Sequence, residues 1–124
     1  MFSEIESEVS KVITRQEVIQ IVQELCMKIS ALFPGERIEA ILFGSYAREE
    51  AEIGSDIDVM ILVDSSRQEI LEKNWSVGNI AGEILLDYGI VISPVIENRD
   101  YFRKNSNLFP FYRNVNSEGV RISA

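Results

Sequence analysis

Histidine is missing from all 124 residues of this chain. Its absence removes the commonest general base, every Ser-His or Cys-His nucleophile pair and most zinc sites. Cysteine occurs once, as Cys26, so no disulfide framework can form. That cysteine lies in a stretch that reads as helix, Val18 to Phe33, which favours a buried thiol over a reactive one. No apolar run approaches the ~18 residues of a membrane span. The N-terminal MFSEIESEVSKV carries acids where a secretion signal carries bases ahead of an apolar stretch, so the expected location is the cytoplasm. Basic charge is scarce too: 12 Lys and Arg stand against 20 Asp and Glu, a net charge of -8, which argues against a broad footprint on nucleic acid. Chemistry here must rest on carboxylates, hydroxyls, arginines or a hard metal ion.

The length is that of one ordinary domain, and 1–124 is read as a single unit with no repeat, linker or low-complexity tract. Thr14-Arg15-Gln16-Glu17 has the form of a capping box, and Val18, Val22, Leu25, Ile29 and Leu32 follow at helical spacing until Pro34-Gly35. Ahead of it, Ile5, Val9 and Ile13 are spaced for a short amphipathic helix or a fraying arm. Ile38 to Phe43 and Ile57 to Val63 read as buried strands. In the second, Ile57, Val59, Ile61 and Val63 take one face and Asp58, Met60 and Leu62 the other. Ser66 to Glu69 repeats the capping-box form and opens a helix expected to run to Gly89. Gly78 and Gly82 inside it mark a close neighbour, a local weakness or a break into two helices. Ile90 to Ile96 is a third strand, confined by Pro94 to an edge or a bulged position. Residues 98–124 hold a net charge of +3 against -11 for the rest. Short helices are expected there from Arg99 to Lys104 and from Leu108 to Asn114, then a turn at Gly119 and a Val120 to Ile122 run. The tail's interleaved Tyr101, Phe102, Phe109, Phe111 and Tyr112 are better suited to capping a small core or forming a protein interface than to stacking on nucleic acid.

The chemistry concentrates in residues 44–58, GSYAREEAEIGSDID. Two acids at the start of a buried strand are costly without partners or a use. Alternation puts Asp56 and Asp58 on one face with Cα atoms about 6.6 Å apart, able to share a hard cation such as magnesium. Gly44-Ser45 ends the preceding strand and is expected to open a helical turn from Tyr46 to Glu50. A glycine followed by a helix N-terminus lets phosphate approach backbone N–H groups. A triphosphate bridged between the Gly-Ser pair and metal on the acids is the natural inference. Arg48 either braces the turn or reaches a phosphate, and Glu49, Glu50 and Glu52 suit a solvated turn.

These residues, Gly44-Ser45-Tyr46-Ala47-Arg48 and Ser55-Asp56-Ile57-Asp58, resemble the G-S-x-A-R...S-D-x-D signature of minimal nucleotidyltransferases in the DNA polymerase β-like superfamily. The order of elements agrees along residues 14–96. The resemblance implies an α/β (α+β) fold, a small mixed sheet with helices packed against it. It implies transfer of a nucleoside monophosphate, AMP foremost, from ATP or another nucleoside triphosphate to a hydroxyl, with two Mg2+ held by Asp56 and Asp58. Gly44 and Ser45 would grip the β and γ phosphates. It also implies a small helical HEPN-type protein partner in a toxin-antitoxin pair, with adenylylation of a partner tyrosine in some members, and leaves a homo-oligomer open. One departure stands out. The third carboxylate of polymerase-like members is absent from Ile90-Val91-Ile92-Ser93-Pro94-Val95-Ile96, and Asp87, Glu97 and Glu39 are expected to lie out of reach. The rival reading is a weak or inactive nucleotide-binding antitoxin that acts by binding its partner. Transfer to a small antibiotic would need an acceptor pocket borrowed from a second subunit.

Overall fold

The Thr14 side chain accepts the Glu17 N–H and the Glu17 carboxylate accepts the Thr14 N–H, which closes the capping box and starts α1, Arg15–Ser30. This computed structural model describes residues 13–123. Ile5 and Val9 of the proposed N-terminal arm lie outside the described residues, and Ile13 packs against the core. Val18, Ile21, Val22, Leu25, Cys26 and Ile29 form the buried stripe of α1. Cys26 is a core thiol, pushed up to about 11 by burial, as its helical spacing indicated.

Strands β1, Glu39–Phe43, and β2, Ile57–Val63, pair antiparallel. Strand β3, Ile92–Asn98, joins β2 in parallel, and β4, Val120–Ile122, joins β1 antiparallel. The sheet order is β3-β2-β1-β4, so β3 is an edge strand, one of the two placements Pro94 allows. The period-2 reading of β2 holds. Ile57, Val59, Ile61 and Val63 enter the core cluster that contains α1, and Met60 and Leu62 enter a second cluster on the opposite face.

Between β2 and β3 the single expected helix is two: α2, Arg67–Glu72, and α3, Asn74–Tyr88, separated at Lys73. Ser66 caps the Glu69 N–H, but its hydroxyl donates to the Glu69 carboxylate, so the second capping box lacks its reciprocal backbone bond. Close packing at Gly78 and Gly82 is not found. A Cβ at either would meet nothing within 4 Å. Gly89 ends α3 in the left-handed conformation, φ 68°.

The tail forms α4, Arg99–Asn105, and α5, Pro110–Glu118, before β4. Its aromatics cap a small core: Phe102 and Val115 are buried with Ile41, Met60 and Leu62, and Tyr112 and Phe43 pack at the margin. Three of its four arginines fold back onto the body. Arg99, 4% exposed, donates to Glu39 at 2.6 Å, to Asp64, and to the carbonyls of Arg37 and Leu62. Arg103 and Arg121 reach the same Glu39 carboxylate. Burial is tolerable for Arg99 because its donors are satisfied.

Replacing Arg99 with Ala removes its buried bonds to Glu39, Asp64 and two carbonyls, and leaves Glu39 with Arg37, Arg103 and Arg121 only. Thermal denaturation of Arg99→Ala should show a loss of about 3 kcal/mol, equivalent to a Tm drop of roughly 10 °C. Arg113→Ala, which removes a tail arginine outside this cluster, should melt like wild type.

Candidate active site

Strand β1 delivers the chain to Gly44, whose φ of 75° no side-chain-bearing residue adopts readily. The register places Phe43 opposite Asp58, so the strand ends beside the second acid. A Cβ on Gly44 would collide with the Asp58 carboxylate, standing 3.2 Å from its Cγ and 3.3 Å from its Cβ. The glycine therefore serves two needs at once, the left-handed bend and the close approach of Asp58 to that bend. Asp58 Oδ2 points at the bend, as the bridged-triphosphate reading requires.

The helical turn expected from Tyr46 to Glu50 is present as a single turn with no helix behind it. Residues 45–49 make one turn, closed by Ala47 and Arg48 N–H groups donating to the Gly44 carbonyl at 3.1 Å and by Glu50 N–H donating to Ser45 at 2.9 Å. Glu49 at φ 59° ends it, so the helix-dipole contribution to phosphate binding falls away. What remains is local: among the described residues, the Ser45 and Tyr46 N–H groups at the head of the turn have no acceptor in the chain.

A second tight turn aims the acids. Gly54 has φ 85°, Ser55 Oγ accepts the Glu52 N–H at 2.8 Å, and Ser55 N–H donates to Glu52 at 3.0 Å. Ser55 thus shapes the approach to Asp56, a role the signature contained but residue chemistry alone did not single out. Ile57 N–H then donates to the Val91 carbonyl at 2.9 Å, tying the start of β2 to β3.

Among the described residues neither Asp56 nor Asp58 forms an ion pair within 4.0 Å. Desolvation pushes the Asp58 carboxyl up, the Asp56 charge adds to this, and Arg48 partly opposes it. Desolvation and the Asp56 charge also raise the Tyr46 phenol. The two acids and the turn therefore sense one another. Arg48 itself braces the turn, with Nε 3.0 Å from Glu50 and Nη1 3.5 Å from Glu118 of α5.

Among the described residues no third acid joins them. Ser93 holds the position on β3 level with Asp58. Glu39 and Glu97 are both level with Leu62, four residues or about 13 Å along the strand from Asp58. Glu97 is buried and bonded to the Tyr112 hydroxyl, Arg67 and the Asn98 N–H. Asp87 is exposed on α3. No group of three or more metal-ligating side chains occurs among the described residues.

A mixed four-stranded sheet, with a glycine bend after one strand and an Asp-x-Asp at the start of the next, defines the polymerase β-like nucleotidyltransferase class. Residues 18–114 match the family described as nucleotidyltransferase domain, and the chain belongs to it. Three proteins of Methanocaldococcus jannaschii are similar. "Putative protein adenylyltransferase MJ0604" is 33% identical over 98 residues, which covers 79% of this chain and 90% of that protein. "Putative protein adenylyltransferase MJ0141" is 39% identical over 80 residues, 64% of this chain and 79% of the relative. "Putative protein adenylyltransferase MJ1305" is 34% identical over 88 residues, 70% of this chain and 60% of the relative. The chain is a nucleotidyltransferase enzyme. No helix among the described residues is long and apolar enough to cross a membrane.

The Asp58 environment has a signed consequence. Its folded carboxyl is raised above the ordinary 3.8, so in metal-free protein its contribution to stability falls as pH rises from that value through the folded one. Asp58→Asn should therefore raise the Tm of metal-free protein at pH 7, with the gain disappearing below the ordinary carboxyl value. Parallel melts of the two proteins across pH 3 to 7 check both sign and window.

Proposed function

We propose that this enzyme transfers AMP from Mg-ATP to a hydroxyl on a protein partner, as the antitoxin of a HEPN-type pair. The carrying observation is the juxtaposition of the Gly44 bend with two carboxylates, Asp56 and Asp58, that have no ion-pair partner among the described residues. These residues fit a divalent metal. Their mutual repulsion and the desolvation of Asp58 are what a bound cation relieves. Asp56 and Asp58 are the residues that would hold two Mg2+. When bound, such ions neutralise triphosphate charge and polarise the reacting phosphoryl group.

The chain's own contributions are positional. Gly44 leaves room for the β and γ phosphates, and the Ser45 hydroxyl and the free N–H groups of Ser45 and Tyr46 donate to them. Arg48 holds the turn to α5 and keeps one charge near the site. In the transfer, the acceptor oxygen forms a bond to the α phosphorus, the bond to the bridging oxygen breaks, and pyrophosphate leaves. The hydroxyl proton goes to a base outside this centre, since among the described residues Ser93, and not an acid, is level with Asp58 on β3. A partner whose acceptor hydroxyl sits beside its own base meets that need. The names of the three relatives support adenylyl transfer to protein. The net charge of -8 suits a basic partner.

With labelled ATP, Mg2+ and a candidate HEPN-type partner, label should pass to the partner from wild type. The Asp56→Asn, Asp58→Asn double variant should lose this by at least about a hundredfold. Undiminished transfer by the double variant would reject the assigned centre.

Ser93 also motivates a second reading, an antitoxin that binds nucleotide and partner without turnover. Equal neutralisation of the partner by the double variant would favour it. Ser93→Asp adds a carboxylate level with Asp58, so titration followed by electron paramagnetic resonance should show Mn2+ held about tenfold more tightly. Unchanged affinity would mean that this position does not face the metal site.

A further inference from the structure

Beside the acid pair lies an aromatic surface that the chemistry above does not use. Phe43 and Asp58 are direct cross-strand partners, so their side chains leave the same face of the sheet with Cβ atoms about 4.5–5.5 Å apart. Phe111, at the start of α5, meets Phe43 edge-on, with ring centroids 5.5 Å apart and planes at 77°. It remains 45% exposed. Packing does not explain that exposure, because the neighbouring Tyr112 already closes this margin through its ring contact with buried Phe102, 5.3 Å between centroids.

The ring is also held in place. Val115, one turn further on, is buried against β1 and β2. Gly119 comes so close to Ile41 that a Cβ would overlap its side chain, and Glu118 pairs with Arg48 of the signature turn. The C-terminal half of α5 is thereby anchored on the strand and turn that form the site, and Phe111 rests on Phe43 at its start. An exposed aromatic ring fixed from beneath is pre-organised to receive a second flat ring without loss of side-chain freedom.

We propose that Phe111, backed by Phe43, is the stacking platform for the nucleobase of the bound nucleoside triphosphate. The proposal rests on the reading that Gly44, Ser45, Asp56 and Asp58 hold the triphosphate. It adds the nucleoside end, for which the signature names no residue. Stacking recognises the face of a base, not its hydrogen-bonding edge. The platform therefore favours purines over pyrimidines by ring area and distinguishes poorly between the two purines.

Calorimetry on the full chain separates this from the triphosphate site. Mg-ATP and Mg-tripolyphosphate are titrated into wild type, Phe111→Ala and Phe111→Leu, the last keeping apolar volume without an aromatic face. Both variants should bind Mg-ATP about tenfold more weakly and Mg-tripolyphosphate as wild type does. Unchanged Mg-ATP affinity would overturn the platform, as would an equal loss for both ligands, which would show that Phe111 only supports α5. Wild type binding tripolyphosphate while Phe111 variants bind ATP normally refutes the platform alone. Wild type binding neither ligand refutes the triphosphate site, and the platform with it.

Discussion

The antiparallel pairing of β1 with β2, ending with Phe43 across from Asp58, is the constraint on which the site depends. A slip of one residue would turn the core-facing set of β2 outward and carry Asp58 to the wrong face. The register is held by the burial of Ile57, Val59, Ile61 and Val63 on one side and Met60 and Leu62 on the other. Hydrophobic packing thus fixes the position of a carboxylate that is itself poorly solvated. Gly44 completes the arrangement because only a residue without Cβ fits both its dihedral angle and the neighbouring acid.

The two ends of that strand pair treat negative charge in opposite ways. At the far end, Glu39 is surrounded by Arg37, Arg99, Arg103 and Arg121. At the signature end, Asp56 and Asp58 have each other and no ion-pair partner among the described residues. The first pattern satisfies charge and joins the tail to the body. The second leaves electrostatic strain in place, as is common where stability and activity make conflicting demands. The uneven distribution of bases along the chain therefore becomes a structural clasp at one end and an unquenched field at the other.

Local patterns carried much of this into the sequence. The Thr14 capping box, the alternation along β2 and the confinement of β3 to an edge or bulge by Pro94 were legible because each depends on residues within one or two turns of chain. The failures were of two kinds. The shortness of the turn after Ser45 and the place of the break, at Lys73, were lost because helix propensity does not reveal a left-handed Glu49 or an incomplete Ser66 cap. The convergence of Arg99 on Glu39, sixty residues apart, and the alignment of Ser93 with Asp58 needed the sheet order itself. Gly78 and Gly82 left several readings open because a glycine in a helix can mark a close neighbour or none, and periodicity does not distinguish them. For the candidate site, the motif identified the participants, while the approach of Asp58 to Gly44 and the closing of the turn by Ser55 required coordinates.

The margins of the sheet limit how this enzyme can meet other molecules. On one side β3 presents Pro94, which offers no hydrogen to a visiting strand; on the other, β4 is only three residues long. Neither border invites main-chain extension by a second polypeptide. Recognition is therefore left to side chains on the helices and around the signature bends. A polypeptide meeting this sheet would be read by its contours and charge, and its backbone would not be recruited as a fifth strand.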